Sequence, residues 1–133
     1  MKNKRIVFIL SLIIASFLIF YFYNILSKHK IFHGTQIFYT SAVTVDNVEK
    51  LGNFLVETGF TDGTRKSIQL DKKGNTYVFR MVVNKNAVQD KETLHVLKLF
   101  AANISKYCFN NANVEMHLCD EQFFTLLVLS MNG

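Results

Sequence analysis

Ile37 to Phe60, IFYTSAVTVDNVEKLGNFLVETGF, is the stretch on which the reading of this chain turns. Its first seven residues, Ile37 to Val43, are rich in β-branched and aromatic side chains, which is strand composition. Thr44 then offers a side-chain oxygen to the free N–H groups of a helix start. Val45, Val48, Leu51 and Leu55 recur behind it at helical spacing. Gly59 supplies a left-handed stop, and Phe60 is placed to fold back over the last turn. Gly52 falls on the apolar face, where a missing side chain lets the helix approach closely whatever it covers.

Toward the carboxyl end the same alternation continues. Thr61-Asp62-Gly63-Thr64 is a turn, and Ser67 to Asp71 and Asn75 to Val83 are strands joined through Asp71-Lys72-Lys73-Gly74, a hairpin signal. Asp90 caps a second helix, with Leu94, Leu97, Ala101, Ile104 and Cys108 along one face. Val96 and Leu99 lie off that stripe and are expected to widen the core face. If exposed, they form a modest apolar patch. Asn110-Asn111-Ala112-Asn113 ends the helix. Val114 to Cys119 and Phe123 to Leu129 read as two more strands around Asp120-Glu121. The last is apolar on both faces, so it is expected to be covered on both sides or paired with another chain. The order β-α-β-β-α-β-β predicts an α+β fold, a ferredoxin-like βαββαβ sandwich with an extra C-terminal strand, over residues 37–130 as a single domain.

Toward the amino end, residues 31–36 read as a linker and residues 1–30 as a transmembrane anchor with basic flanks. Its core, residues 6–27, is uncharged and lies between Lys2, Lys4 and Arg5 on one side and Lys28 and Lys30 on the other. As a helix those residues span roughly 33 Å, against a hydrocarbon core of about 30 Å. A cleavable signal has a shorter apolar run and small residues at its end, and here the one small pair, Ala15-Ser16, sits mid-run. Tyr21, Tyr23 and Asn24 suit the headgroup level. The excess of positive charge at the amino end predicts that end in the cytoplasm and residues 31–133 outside it. The chain's net charge of +5 arises entirely within residues 1–30, because the rest carries ten basic and ten acidic side chains. A neutral domain argues against a nucleic-acid partner, and the expected contacts are the lipid bilayer, through the amino-terminal helix, and a protein, through the domain surface or the last strand.

Tyr39-Thr40, Leu51-Gly52, Gly59-Phe60-Thr61-Asp62-Gly63, Ser67-Ile68-Gln69-Leu70, Val82-Val83 and Val114-Glu115-Met116-His117-Leu118-Cys119-Asp120 together resemble a group of small uncharacterised bacterial proteins. These place a similar α+β domain behind an amino-terminal hydrophobic segment. The resemblance covers roughly residues 38–129. It implies the architecture and a bacterial membrane location, and it carries no site.

Chemistry-bearing residues gather in one place only. Glu115, His117 and Cys119 alternate along a strand and so project from one face. Imidazole and thiolate two residues apart suit a zinc ion, but a tetrahedral site needs further ligands, and the sequence offers no second Cys/His cluster. His117 beside Cys119 is also the start of a thiol-dependent enzyme, yet no oxyanion donors or Gly-rich elbow accompany it. The plainer reading places Val114, Met116 and Leu118 in the core and the trio on the open polar face of a half-covered sheet. No catalytic residue, cofactor site or metal site is assigned. The two cysteines are expected to stay free thiols, Cys108 protected by burial and Cys119 more open to reagent. The sequence thus predicts a single-pass envelope protein whose outward domain binds without catalysis. The alternative is a small metal- or thiol-dependent enzyme using His117 and Cys119.

Overall fold

The computed structural model describes residues 2–26 and 28–131. The apolar run forms one helix, α1 (Lys2–Leu26). Residues 2–21 have a mean hydropathy of 2.1 and bury nothing against the rest of the chain. The two hydroxyls within the run are satisfied by the helix itself, because Ser11 and Ser16 each donate at 2.8 Å to a carbonyl one turn back. In length and composition α1 suits either a membrane anchor or a signal sequence. The end of the run at Ser27 lies outside the described residues, as do the side chains of Tyr23 and Asn24.

Beyond α1 come β1 (His29–Phe32), β2 (Thr35–Tyr39), α2 (Val45–Glu57), β3 (Lys66–Lys73), β4 (Thr76–Val82), α3 (Lys91–Cys108), β5 (Asn113–Cys119) and β6 (Thr125–Ser130). A short 3₁₀ turn, Lys85–Gln89, leads into α3. The strands form one mixed sheet in plain chain order, β1 to β6. β2–β3 and β4–β5 are parallel pairs, each bridged by a helix, and the other three pairs are antiparallel.

The α+β class holds, but the ferredoxin-like sandwich does not describe this sheet. That arrangement inserts the third strand between the first two and leaves every neighbour antiparallel. Here each helix returns the chain to the adjacent position, giving parallel neighbours. The physical reason is at the edges: β1 already occupies one flank of β2, and β6 one flank of β5. The segment 31–36 is correspondingly not a linker. Phe32 closes β1, Thr35 opens β2, and His33 and Gly34 make a two-residue hairpin turn with φ of 44° and 89°. A side chain at Gly34 would lie 2.7 Å from the carbonyl oxygens of Gly63 and Thr64, so strain and space both demand glycine. The sheet begins at His29, three residues after the end of α1, and the Lys28 carbonyl already accepts a hydrogen bond from the Tyr39 N–H at 3.0 Å.

The register sorts the strands into two faces. On one face Ile37, Ile68, Met81, Leu118 and Leu127 lie in successive pairs across the sheet, with Tyr39, Leu70, Phe79, Met116 and Leu129 in the next row. Both α2 and α3 cover this face. Val48, Leu51 and Leu55 from α2 and Ala101, Ile104 and Cys108 from α3 are buried in one core with it. Phe54 and Phe100 join the helices, their ring centroids 5.9 Å apart, and Phe60 stacks on Phe100 at 5.7 Å. The predicted caps are present: Thr44 accepts from the Asn47 N–H, and Asp90 accepts from the Glu92 N–H and the Thr93 hydroxyl. Three expectations from helical spacing fail. Val45, Val96 and Leu99 are exposed, because the sheet is wide enough to cover only one stripe of each helix.

Candidate functional site

The opposite face of the sheet carries no helix. Its central row runs His29, Phe38, Gln69, Arg80, His117, Val128, one residue from each strand in register. The neighbouring row includes Asp71, Val78, Glu115 and Ser130. Alternation along β5 therefore puts Val114, Met116 and Leu118 in the core and Glu115 and His117 on this open face, as expected from a period of two.

Glu115 and His117 meet, with Nε2 of His117 3.2 Å from Oε2 of Glu115. The other ring nitrogen, Nδ1, lies 3.2 Å from the Thr125 hydroxyl. Both ring nitrogens are thus engaged. Cys119 does not join them. A bulge between Leu118 and Cys119 shifts the register against β6, and the thiol is fully buried, with Sγ 3.5 Å from the His117 carbonyl of its own strand. The expectation that Cys119 is the more open thiol is overturned, because its side chain is fully buried. Cys108 and Cys119 are both free and both buried. Burial pushes the Cys108 thiol up to about 12, with the Glu57 carboxylate adding to the effect and Lys50 opposing it. Among the described residues no three His, Cys, Asp or Glu side chains are grouped to hold a metal ion. Cys119, the thiol two residues from His117, has no accessible surface and so is not placed to act as a nucleophile.

The feature that sequence reasoning missed lies on the same face. A cleft of about 570 Å³ runs from Thr40 and Asp71 past Gln69 and Ser67 to Arg80, Arg65 and Phe123. Its floor is the sheet, and one wall is the β5–β6 loop. Phe123 holds that loop down, at φ 62°, by accepting from Nη2 of Arg80. Arg80 Nε is buried without a hydrogen-bond partner. Among the described residues no carboxylate stands within ion-pair distance of either arginine. Asp71 is engaged at the far end, accepting from the Thr40 hydroxyl at 2.6 Å and from the Lys72 N–H at 2.7 Å. At the rim Asp62 is turned to its own loop. The Thr64 hydroxyl, the Thr64 N–H and nearby Lys66 hold its carboxyl down at about 2. A lone arginine in mid-strand gives no signal in the sequence, because only the register shows that Arg80 and Gln69 share a row and that Arg65 and Phe123 close over it.

β6 forms one edge of the sheet. It pairs with β5 alone, and Phe124, Leu126 and Val128 at and beside it are exposed, Phe124 to 70%. Among the described residues no second strand pairs with β6, which leaves the other branch of the expectation, pairing with another chain, open.

No curated protein and no solved structure matches the chain. Residues 28–130 match the AF_1994_N model, that of a family N-terminal domain, and the match starts one residue before β1 and ends with β6. With the whole sheet and both covering helices inside the match, the chain belongs to this uncharacterised family.

Proposed function

We propose that this chain is a single-pass protein of a bacterial cell envelope, held by α1 with its amino end in the cytoplasm, whose α+β domain faces outward and binds another protein without catalysis. The observation that carries the anchoring is α1 itself: twenty consecutive apolar-rich residues bury nothing, and Lys2, Lys4 and Arg5 stand at their start. The unpaired edge of β6 supports the binding role. An exposed strand edge with apolar side chains is a template for another strand, and β6 has neither a proline nor a lysine to blunt it. A reporter that is active only after export, fused after Gly133, is expected to be active, and a cytoplasm-only reporter there to be silent. The reverse pattern overturns the orientation. A photocrosslinking residue at Leu126 in intact cells is expected to give a discrete adduct that the additional change Val128→Lys abolishes. An equal adduct from a crosslinker at Lys73, or none at Leu126, overturns the binding role of β6.

A further inference from the structure

We propose that the open face of the sheet holds a binding site for a small organic anion, an oxyanion joined to a flat apolar group, with Arg80 as its anchoring donor. The site is separate from the β6 edge and goes beyond protein binding there. Three observations carry it.

The first is the state of Arg80. A guanidinium is always charged and offers five N–H donors. Here one nitrogen donates to the Phe123 carbonyl, Nε is buried with no partner, and no carboxylate balances the charge. Buried donors without partners are rare in folded proteins, and the half-buried Arg80 side chain lines the cleft with no carboxylate paired to it. Such a group is the complement of an absent anion. The second is the surroundings. Arg65 adds a second unpaired cation at the rim, and Gln69 and Ser67 place neutral donors along the floor between them. Arg65, exposed at the cleft, can offer an oxyanion the fork geometry that lysine does not, while Arg80 adds its charge and its remaining N–H donors. The third is the size and lining. A cleft of about 570 Å³ falls among small-molecule sites, and Phe38 and Phe123 give it aromatic walls beside the cations. Asp71, the one carboxylate in the lining, sits at the opposite end with its Oδ1 already accepting two hydrogen bonds. It sets the polarity of the site: the ligand's anionic end lies toward Arg80 and Arg65.

The carboxylate and phosphate versions share this chemistry, and the probes separate them. Full-length protein in an uncharged detergent is titrated with benzoate, phenyl phosphate and inorganic phosphate. The readout is the NMR shifts of the Arg80 Nε–H and of the Gln69 and Ser67 amides. Saturable shifts at these positions with benzoate or phenyl phosphate are expected, and the tighter of the two identifies the oxyanion. Inorganic phosphate is expected to bind more weakly, for want of the ring. Arg80→Gln is expected to weaken binding by at least about tenfold, the worth of a charge-assisted hydrogen bond. Because Arg80 also holds the Phe123 loop, Arg65→Gln provides the second variant. Arg65 is exposed and bonds to nothing that supports the fold, and its loss is expected to weaken binding several-fold with an unchanged unfolding temperature. Lys73→Gln, outside the cleft, is expected to bind as the parent does. Absence of saturable shifts with all three probes, or parent-like affinity in Arg65→Gln together with Arg80→Gln, overturns the proposal and leaves Arg80 a structural clamp for the β5–β6 loop. Neither result depends on α1 spanning a membrane or on β6 pairing with a protein.

Discussion

Replacing Gly52 by alanine tests how α2 is seated on the sheet, because two effects of known size oppose each other there. A methyl group at Gly52 would lie 2.3 Å from Cε1 and Cζ of Phe32 and 2.4 Å from Cδ1. Ordinary carbon contacts begin near 3.5 Å, so the overlap exceeds about 1 Å and cannot be absorbed by small shifts. Either the ring leaves its place between β1 and α2 or the helix withdraws from the sheet edge. Overpacking of this kind costs typically 1–3 kcal/mol, and displacing a half-buried phenyl ring loses roughly another 1 kcal/mol of burial. Against this, alanine in a helix interior is better than glycine by about 1 kcal/mol. The net expectation is a destabilisation of about 1–3 kcal/mol. In a domain of this size that lowers the unfolding midpoint by roughly 4–8 °C per kcal/mol. Removing the ring reverses the sign. In a Phe32→Ala background, Gly52→Ala meets open space and is expected to stabilise by up to about 1 kcal/mol. Thermal unfolding of the four proteins, full-length in a neutral detergent, completes the cycle, with a coupling of about 2–4 kcal/mol between the two sites. If Gly52→Ala stabilises equally in both backgrounds, the ring is not where the structure puts it and the close approach of α2 to β1 is refuted.

Further outcomes follow from the other elements. A fragment beginning at Lys28 is expected to unfold cooperatively at a higher temperature than one beginning at Ile31, since the later start removes half of β1 and the Lys28 carbonyl that Tyr39 uses; equal midpoints would show that β1 contributes nothing. Thr44→Ala is expected to cost about 1 kcal/mol by orphaning the Asn47 N–H, with Thr44→Ser restoring most of it in urea unfolding. Neither cysteine is expected to react with maleimide in the folded protein, and both are expected to react in denaturant; rapid labelling of native Cys119 would contradict its burial. Stability is expected to fall more steeply with alkali in the parent than in Cys108→Ala. The unfolded thiol ionises near 9.0 and the folded one near 12, so the Cys108 contribution is intact below pH 9 and is lost between pH 9 and 12, at up to about 1.4 kcal/mol per pH unit, as paired midpoint-versus-pH curves would show.

Local signals carried most of the fold. Thr44 and Asp90 mark helix starts because a cap is a short-range hydrogen bond, and Gly59 and Gly74 mark stops and turns because left-handed backbone belongs to the residue itself. What escaped is non-local. His29 and Lys30 read as the flank of an anchor and Ile31 and Phe32 as a linker, and the two-residue His33-Gly34 turn between runs of strand-formers is the signal that identifies β1. The strand order was misread because periodicity says which face a residue takes and not which strand lies beside it. The candidate site divides in the same way. Alternation along β5 placed Glu115 and His117 correctly, but alternation gives a residue's face and not what lies over it, so the burial of Cys119 stayed hidden. Arg80 belongs to no motif, and its setting is created by β3, β4 and the Phe123 loop together.

The plain chain order of the sheet bears on how the protein is made. Every strand's partner on one side is the strand synthesised just before it, so no segment must wait for a distant one before its backbone groups are paired. The widest closures are the two bridged by α2 and α3, and each of these helices carries its own cap. Contacts of such short range in sequence favour rapid folding and keep strand edges unpaired only briefly. Because the amino-terminal strand of the sheet emerges first, the sheet can assemble from β1 outward, one strand at a time, with β6 the last edge to be laid down.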